Sequence, residues 1–256
     1  MRIAITRPVS PSLARCELTH LPRVSIDPDR ARAQHASYED TLVGLGCRLV
    51  RLPEAPDLPD AVFVEDTAIV LDEIAIITRP GAASRRDETP AVAEVLARFR
   101  KTDSLDAPAT LDGGDVLRID RQLYVGRSSR TSDAGIAQLR ALVEPHGYDV
   151  HEVPVEGGCL HLKSAATEVA PSVVLLNPAW VPAEAFARCE VIDVDPAEPA
   201  AANVLRIDDT LVVSAAFPRT QAMLAGRGYA MRVVDVSELQ KAEGGVTCCS
   251  LVFDHT

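Results

Sequence analysis

No apolar run in this sequence approaches the roughly 20 residues that cross a bilayer. The apolar stretch after Met1, within Arg2-Ile3-Ala4-Ile5-Thr6, is also too brief for an export signal. No C-x-x-C pair is present, which removes the usual frame of a structural zinc site. There is no P-loop and no G-x-G-x-x-G, and Gly44-x-Gly46 and Gly226-x-Gly228 read as helix ends rather than phosphate loops. The G-x-S-x-G elbow of a serine hydrolase is missing too. Basic residues are in deficit, 26 against 37 acidic, for a net charge of -11. That balance argues against nucleic acid or an anionic membrane as partner and suits a cationic small molecule. The six cysteines stand at irregular positions, 16, 47, 159, 189, 248 and 249. They form no disulfide framework and are expected to be reduced thiols of a cytoplasmic protein.

What is present is a repeat. Four stretches begin on a polar signature, run into a short strand, turn on acidic or polar residues and return as a second strand. They start at Glu65-Asp66, Gly114-Asp115, His161-Leu162-Lys163 and Asn203, and return through Ile74–Ile77, Gln122–Val125, Ser172–Leu176 and Thr210–Ser214. Helix signals follow several returns. Asp27-Pro28 opens a helix that Gly46 closes, Pro90 sits early in another, and Thr131 or Ser132 caps one ended by Gly147. A late strand is expected over Val233–Val236, and a last one beginning at Cys248 and running through Phe253. The period of roughly 40 to 50 residues is that of repeat architectures. Units that cannot bury both faces alone can do so in a radial arrangement around a central channel. The whole chain, 1–256, is therefore expected to be one domain, with the two terminal segments completing the same ring.

On that geometry, distant residues meet at the centre. Gly244-Gly245-Val246-Thr247-Cys248-Cys249 joins a close-approach backbone to a thiol. If the cysteines alternate along a strand, one faces the centre and the other the core. His161, at the position taken as equivalent to Asp66 and Asp115, is the candidate acid and base; read alone, it is a histidine bonded within its sheet. Glu65, Asp66, Asp112 and Asp115 at one centre would repel unless a cation lay among them. Carboxylates match the planar donor fork of a guanidinium. Of Arg85, Arg86, Arg127 and Arg130, at least two are expected on the surface, leaving the rest to clamp an α-carboxylate. Together these residues ask for an amino acid with a distal guanidinium. A zinc site built from Cys159, His161 and a tail cysteine is a different reading of the same thiols.

The segments FVED, ITRPG-x-x-SRR, LDGGDV, SSRT, LHLK, AANV and GG-x-TCCS, in this order from Leu18 to Phe253, resemble those of the dimethylarginine dimethylaminohydrolases. These are guanidino-modifying enzymes with the pentein fold, a five-bladed α/β propeller. The resemblance implies hydrolysis of Nω-methylated L-arginine to citrulline and a methylamine without cofactor or metal, in a monomer or homodimer. It places the nucleophile on Cys248, the general acid and base on His161 and its acidic partner on Asp112, where some relatives carry Glu. Asp66 with Asp112 would hold the guanidinium and Glu65 would flank it. Arg85 and Arg130 would bind the carboxylate, with Asp60 and the carbonyls of Leu18 and Ala242 near the α-amino group. An arginine deiminase and a non-catalytic pentein binding protein are the alternatives.

Overall fold

In the computed structural model, which describes residues 1–255, fifteen strands form five three-stranded sheets of one topology. Strand β1 (Arg2–Thr6) runs parallel to β2 (Arg48–Arg51) across helix α1 (Pro28–Gly44). The next sheet joins β3 (Ala68–Val70), β4 (Ile74–Ile77) and β5 (Lys101–Ser104), with α2 (Thr89–Leu96) before β5. A third joins β6 (Val116–Ile119), β7 (Gln122–Arg127) and β8 (Asp149–Pro154), with α3 (Asp133–Val143) before β8. The one-turn helix α4 (Leu162–Ala165) leads into β9 (Ala166–Ala170), β10 (Val173–Leu176) and β11 (Glu190–Asp193). The fifth contains β12 (Leu205–Ile207), β13 (Thr210–Ser214) and β14 (Ala230–Val234), with α5 (Pro218–Gly226) before β14. After α6 (Ser237–Gln240), β15 (Leu251–Asp254) pairs antiparallel with β1.

Each sheet is an antiparallel pair followed by a parallel third strand. In four of them the three strands are consecutive in sequence. In the fifth they come from both ends of the chain, β15 beside β1, so the termini close the ring as expected.

The helices start where the residues allow. Asp27 caps α1 by accepting from the backbone N–H groups of Asp29 and Arg30, and Ser132 caps α3 by accepting from Gly135. The late strand is shifted from expectation: it begins at Ala230 and ends at Val234. Asp235 leaves the ladder because its carboxylate accepts the N–H of Ser237 and starts α6. Cys248 and Cys249 likewise lie in a turn before β15, not on a strand.

The apolar core is divided. One cluster, with Ile5, Val64, Ile77 and Leu96, sits between the terminal sheet and β3–β5. Others fill the remaining junctions, with Ile76 and Leu123, with Tyr124 and Leu176, with Leu175 and Leu211, and with Tyr38 and Val212. Because each blade buries its faces against its neighbours, the axis is left to polar groups. Residues of all five inner strands (β3, β6, β9, β12 and β15) line one end of that axis. The other end carries the thiol and the imidazole. No helix among the described residues is long and apolar enough to cross a membrane.

Candidate active site

Three short helical turns at the inner ends of successive blades position the charged groups. Glu65 and Asp66 lie in the turn Val64–Thr67, Asp112 immediately precedes the turn Gly113–Asp115, and His161 immediately precedes α4. His161 and Asp112 thus share the residue before the turn, whereas Asp66 lies inside its own. The equivalence of His161 with Asp66 and Asp115 expected from the sequence is corrected to this pairing. Close approach explains Gly114, where a Cβ would stand 2.6 Å from Asp66 Oδ1 and 2.7 Å from His161 Nδ1.

The imidazole is buried. Its Nε2 lies 2.9 Å from Asp112 Oδ2, and the other Asp112 oxygen accepts the Gly81 N–H at 2.8 Å. Nδ1 stands 3.6 Å from Asp66 Oδ1, too far for a hydrogen bond, and remains available to a ligand. Burial alone would lower the His161 pKa. The charge of Asp66, the bond to Asp112 and the further charges of Asp115 and Asp112 prevail and raise it to about 9. Asp66 resists burial in turn: His161 and Arg85 hold it down at about 2. Asp115 takes no part in the cavity. It accepts the Leu162 N–H at 3.0 Å and the Thr131 hydroxyl at 2.6 Å, and burial pushes it up to about 6.

Cys248 lines the same cavity, and Gly245 N–H points at its sulfur at 3.3 Å. Burial, with the negative charges of Glu65 and Asp66, pushes its thiol pKa up. Cys249 is fully buried among apolar side chains, with its sulfur toward the Gly245 carbonyl at 3.4 Å. One cysteine faces the centre and one the core, through turn geometry rather than strand alternation. The turn is pinned from several sides. Tyr38 donates to the Val246 carbonyl at 2.8 Å. Asn203 donates to Thr247 Oγ1 at 2.9 Å and to the Lys163 carbonyl at 3.0 Å, and accepts the Thr247 N–H at 3.1 Å. Glu65 accepts from Thr247 Oγ1 at 2.7 Å and pairs with Lys163 at 2.7 Å.

Of the four arginines, Arg85 and Arg130 line the cavity. Arg127 pairs with Asp133 and Glu152 at the surface, and Arg86 donates to the Pro80 carbonyl. Arg85 is buried, bonded to Asp66 at 2.5 Å, to Glu88 at 2.8 and 3.1 Å and to the Phe63 carbonyl at 3.0 Å. Arg130 is more open. It donates to Thr19 Oγ1 at 2.8 Å and stands 3.9 Å from Asp112. Asp60, Ala242 and Glu65 are buried, and the first two line the cavity with Phe63, Leu160 and Gly244. Leu18 does not line it; its neighbour Glu17 does, as does Glu243. Glu17, Glu88 and Glu243 escaped sequence reasoning: Glu17 and Glu243 act through partners distant in the chain and Glu88 through Arg85, three residues away. Lys163 and Asn203 were visible only as repeat signatures, without their partners Glu65 and Thr247. Asp66, Asp112 and His161 lie close enough together to share one cation. Cys159 stands outside that group, its sulfur toward the His161 carbonyl at 3.0 Å, so the cysteine-based zinc set does not form.

Five α/β blades around a cavity that holds a thiol, an imidazole and paired carboxylates define a guanidino-modifying enzyme of the pentein class. Within that class the chain belongs to the dimethylarginine dimethylaminohydrolase family. Residues 23–253 match the family described as N,N dimethylarginine dimethylhydrolase, eukaryotic. The chain is 41% identical to the N(G),N(G)-dimethylarginine dimethylaminohydrolase of Streptomyces coelicolor, over 97% of this chain and 95% of that one. It is 36% identical to the enzyme of the same name from Pseudomonas aeruginosa, over 88% of this chain and 90% of that one. A solved structure of the Pseudomonas aeruginosa enzyme, a cysteine-to-serine variant complexed with citrulline, superposes with a TM-score of 0.90 at 33% identity, covering 98% of both chains.

Proposed function

We propose that this chain hydrolyses Nω-methylated L-arginine to L-citrulline and methylamine or dimethylamine, with Cys248 as nucleophile and the whole ring as one catalytic domain. The observation that carries the reading is the convergence of Cys248, His161 and Asp66 on one cavity, with Asp112 bonded behind His161, in a member of this family. At rest the thiol is protonated, because burial, Glu65 and Asp66 disfavour a further negative charge. A guanidinium bound beside Asp66 offsets those charges and favours the thiolate.

The thiolate then forms a bond to the guanidinium carbon. His161, protonated at neutral pH by its raised pKa, gives its proton to the departing amine as the C–N bond breaks. The product of this step is an S-alkylthiouronium on Cys248. His161, now neutral, takes a proton from water as the water oxygen bonds to the same carbon. The C–S bond breaks as the new hydroxyl gives its remaining proton to the departing sulfur, which restores the resting thiol, and neutral citrulline is released. Asp112 holds the imidazole through Nε2, so Nδ1 is the nitrogen that carries the proton.

Asp66 orients the guanidinium, with Glu65 flanking it. Asp112 is committed to His161 and Gly81, so its charge steadies the imidazolium more than it grips the substrate. Arg130 receives the α-carboxylate. Arg85, whose donors are mostly engaged, supplies charge and one remaining N–H. Asp60 and the Ala242 carbonyl, both lining the cavity, receive the α-amino group, a part that Leu18, outside its wall, does not share. The six unpaired cysteines suit a reducing compartment such as the cytoplasm, and the site needs no second protomer, so monomer and homodimer serve equally.

Separate incubations with asymmetric dimethylarginine, monomethylarginine and arginine test the reading by citrulline release. Citrulline from the methylated substrates is expected. Citrulline from arginine alone would make the enzyme a deiminase, and none from any would remove the activity.

A further inference from the structure

Glu243 has no place in the chemistry above, yet its conformation is unusual. Its φ is +60°, in the left-handed region that a Cβ makes unfavourable and that glycine enters freely. The next residue cannot relieve it. A Cβ at Gly244 would stand 2.2 Å from the Phe63 ring, so the turn is fixed against that side chain. A non-glycine residue held in such a conformation points to a role for its side chain.

That side chain accepts three consecutive backbone N–H groups, from Thr19 at 2.8 Å and from His20 and Leu21 at 2.6 Å each. Among the described residues no lysine or arginine pairs with it. Its bonding therefore goes to the 19–21 backbone. The same segment is tied to the groups expected to meet the α end of the substrate. Glu17 N–H donates to both Asp60 oxygens at 3.1 and 3.2 Å, Ser84 Oγ donates to Glu17 at 2.5 Å, and Arg130 donates to Thr19 Oγ1 at 2.8 Å. Glu243 and this strap also stand between two cavities. Glu17 and Glu243 line the central one, while His20, Leu21 and Glu243 line an apolar one with Trp180 and Phe217.

We infer that Glu243 is a positioning residue: its carboxylate latches the 17–21 strap against the 242–244 turn and so sets the Ala242 carbonyl and, through the Glu17 N–H, the Asp60 carboxylate, the two cavity-lining groups that select the substrate's α-amino group. Ala242 immediately precedes Glu243, and the Glu17 N–H that holds Asp60 lies two residues before the first latched amide, so one carboxylate fixes both. This assignment rests on the proposed methylarginine reading for its substrate and on the contacts alone for the latch. Glu243 touches no reacting atom, and the latch acts on binding rather than on chemistry.

Two variants separate conformation from bonding. Glu243→Gly removes the carboxylate and relieves the backbone, so the fold is kept. Glu243→Gln keeps one acceptor oxygen. For Glu243→Gly, hydrogen exchange at the amides of Thr19, His20 and Leu21 is expected to quicken about tenfold or more. KM for methylarginine should rise about tenfold with kcat within about twofold, the pattern of lost uniform binding. The preference for methylarginine over its analogue without the α-amino group should shrink in parallel. Glu243→Gln should show smaller changes of the same kind. Unchanged exchange at those amides would overturn the latch, and faster exchange with unchanged KM or with kcat alone reduced would overturn the positioning role. If the wild-type protein releases no citrulline from any substrate, the methylarginine reading fails, while the exchange measurement still decides the latch.

Discussion

The two ends of the central cavity are built differently. At the guanidinium end, Asp66, Asp112 and His161 come from short turns fused to inner strands, and each is at most 3% exposed. Their oxygens and nitrogens are held by backbone N–H groups of the ring and by one another. At the α end, the groups come from loops. Thr19, His20 and Leu21 belong to an exposed or half-buried strap, and their bonds run from side chain to backbone. Preorganised charge lowers a barrier only where its geometry is fixed before reaction, which the buried end provides. The open end can admit and release a substrate. Substitutions at the buried end should therefore change kcat, and those at the open end KM.

The largest break in that comparison is expected from the paired cysteines. Cys248→Ser should lower kcat by about 10⁴-fold or more, since an alcohol is far less ionised than a thiol and removing a nucleophile costs on this scale. Cys249→Ser places a hydroxyl in the core with the Gly245 carbonyl as partner. It should lower stability by about 1 kcal/mol and leave kcat within a few-fold. Steady-state kinetics and urea unfolding of both variants measure the difference. A dead Cys249→Ser beside an active Cys248→Ser would reverse the assignment.

A smaller effect is expected at Asp112→Asn, which keeps the shape but removes the charge beside Nε2. The kcat should fall about 10²-fold, within the range for an impaired acid–base group. The pH dependence is more telling. His161 in the wild-type protein is protonated below about 9, so the acid step should weaken as pH rises past that value. Without the Asp112 charge and hydrogen bond, burial weighs more heavily, the pKa falls, and the alkaline limb moves to lower pH. The same shift carries stability. Because the folded pKa lies above the unfolded value of 6.5, the contribution is complete below about pH 6.5 and is lost as pH rises through about 9. A kcat–pH profile whose alkaline limb is identical in the two proteins would remove Asp112 as the partner of His161.

Much of the buried end was legible in the sequence, because strand period, acidic turns and polar signatures recur within each blade. The fifth blade was visible only as two leftover ends, since β15 and β1 lie at opposite ends of the chain and form no local repeat. The residue types of the site could be read too, but not their alignment. His161 matches Asp112 rather than Asp66 because both precede their helical turns, whereas Asp66 lies inside its own. The α end was least legible. The contacts of Glu243 to 19–21 and of Asn203 to the cysteine turn span distances along the chain that no periodicity marks.

The smallest effect, and the one that sharpens the contrast most finely, is expected at Thr19→Ala. Arg130 now donates to Thr19 Oγ1, the bond a substrate carboxylate would have to replace. A neutral hydroxyl is a weaker acceptor for a guanidinium than a carboxylate, so the exchange favours the substrate. Deleting the hydroxyl removes the competitor but also leaves the arginine freer to wander, which costs ordering on binding. The two effects oppose each other at a solvent-accessible position. KM should therefore change by no more than about threefold, with kcat unaltered. A tenfold rise in KM would mean that Thr19 preorganises Arg130, making the α end as rigidly prepared as the guanidinium end. A fall beyond threefold would mean that the strap chiefly competes with substrate, and that its opening limits how tightly methylarginine is held.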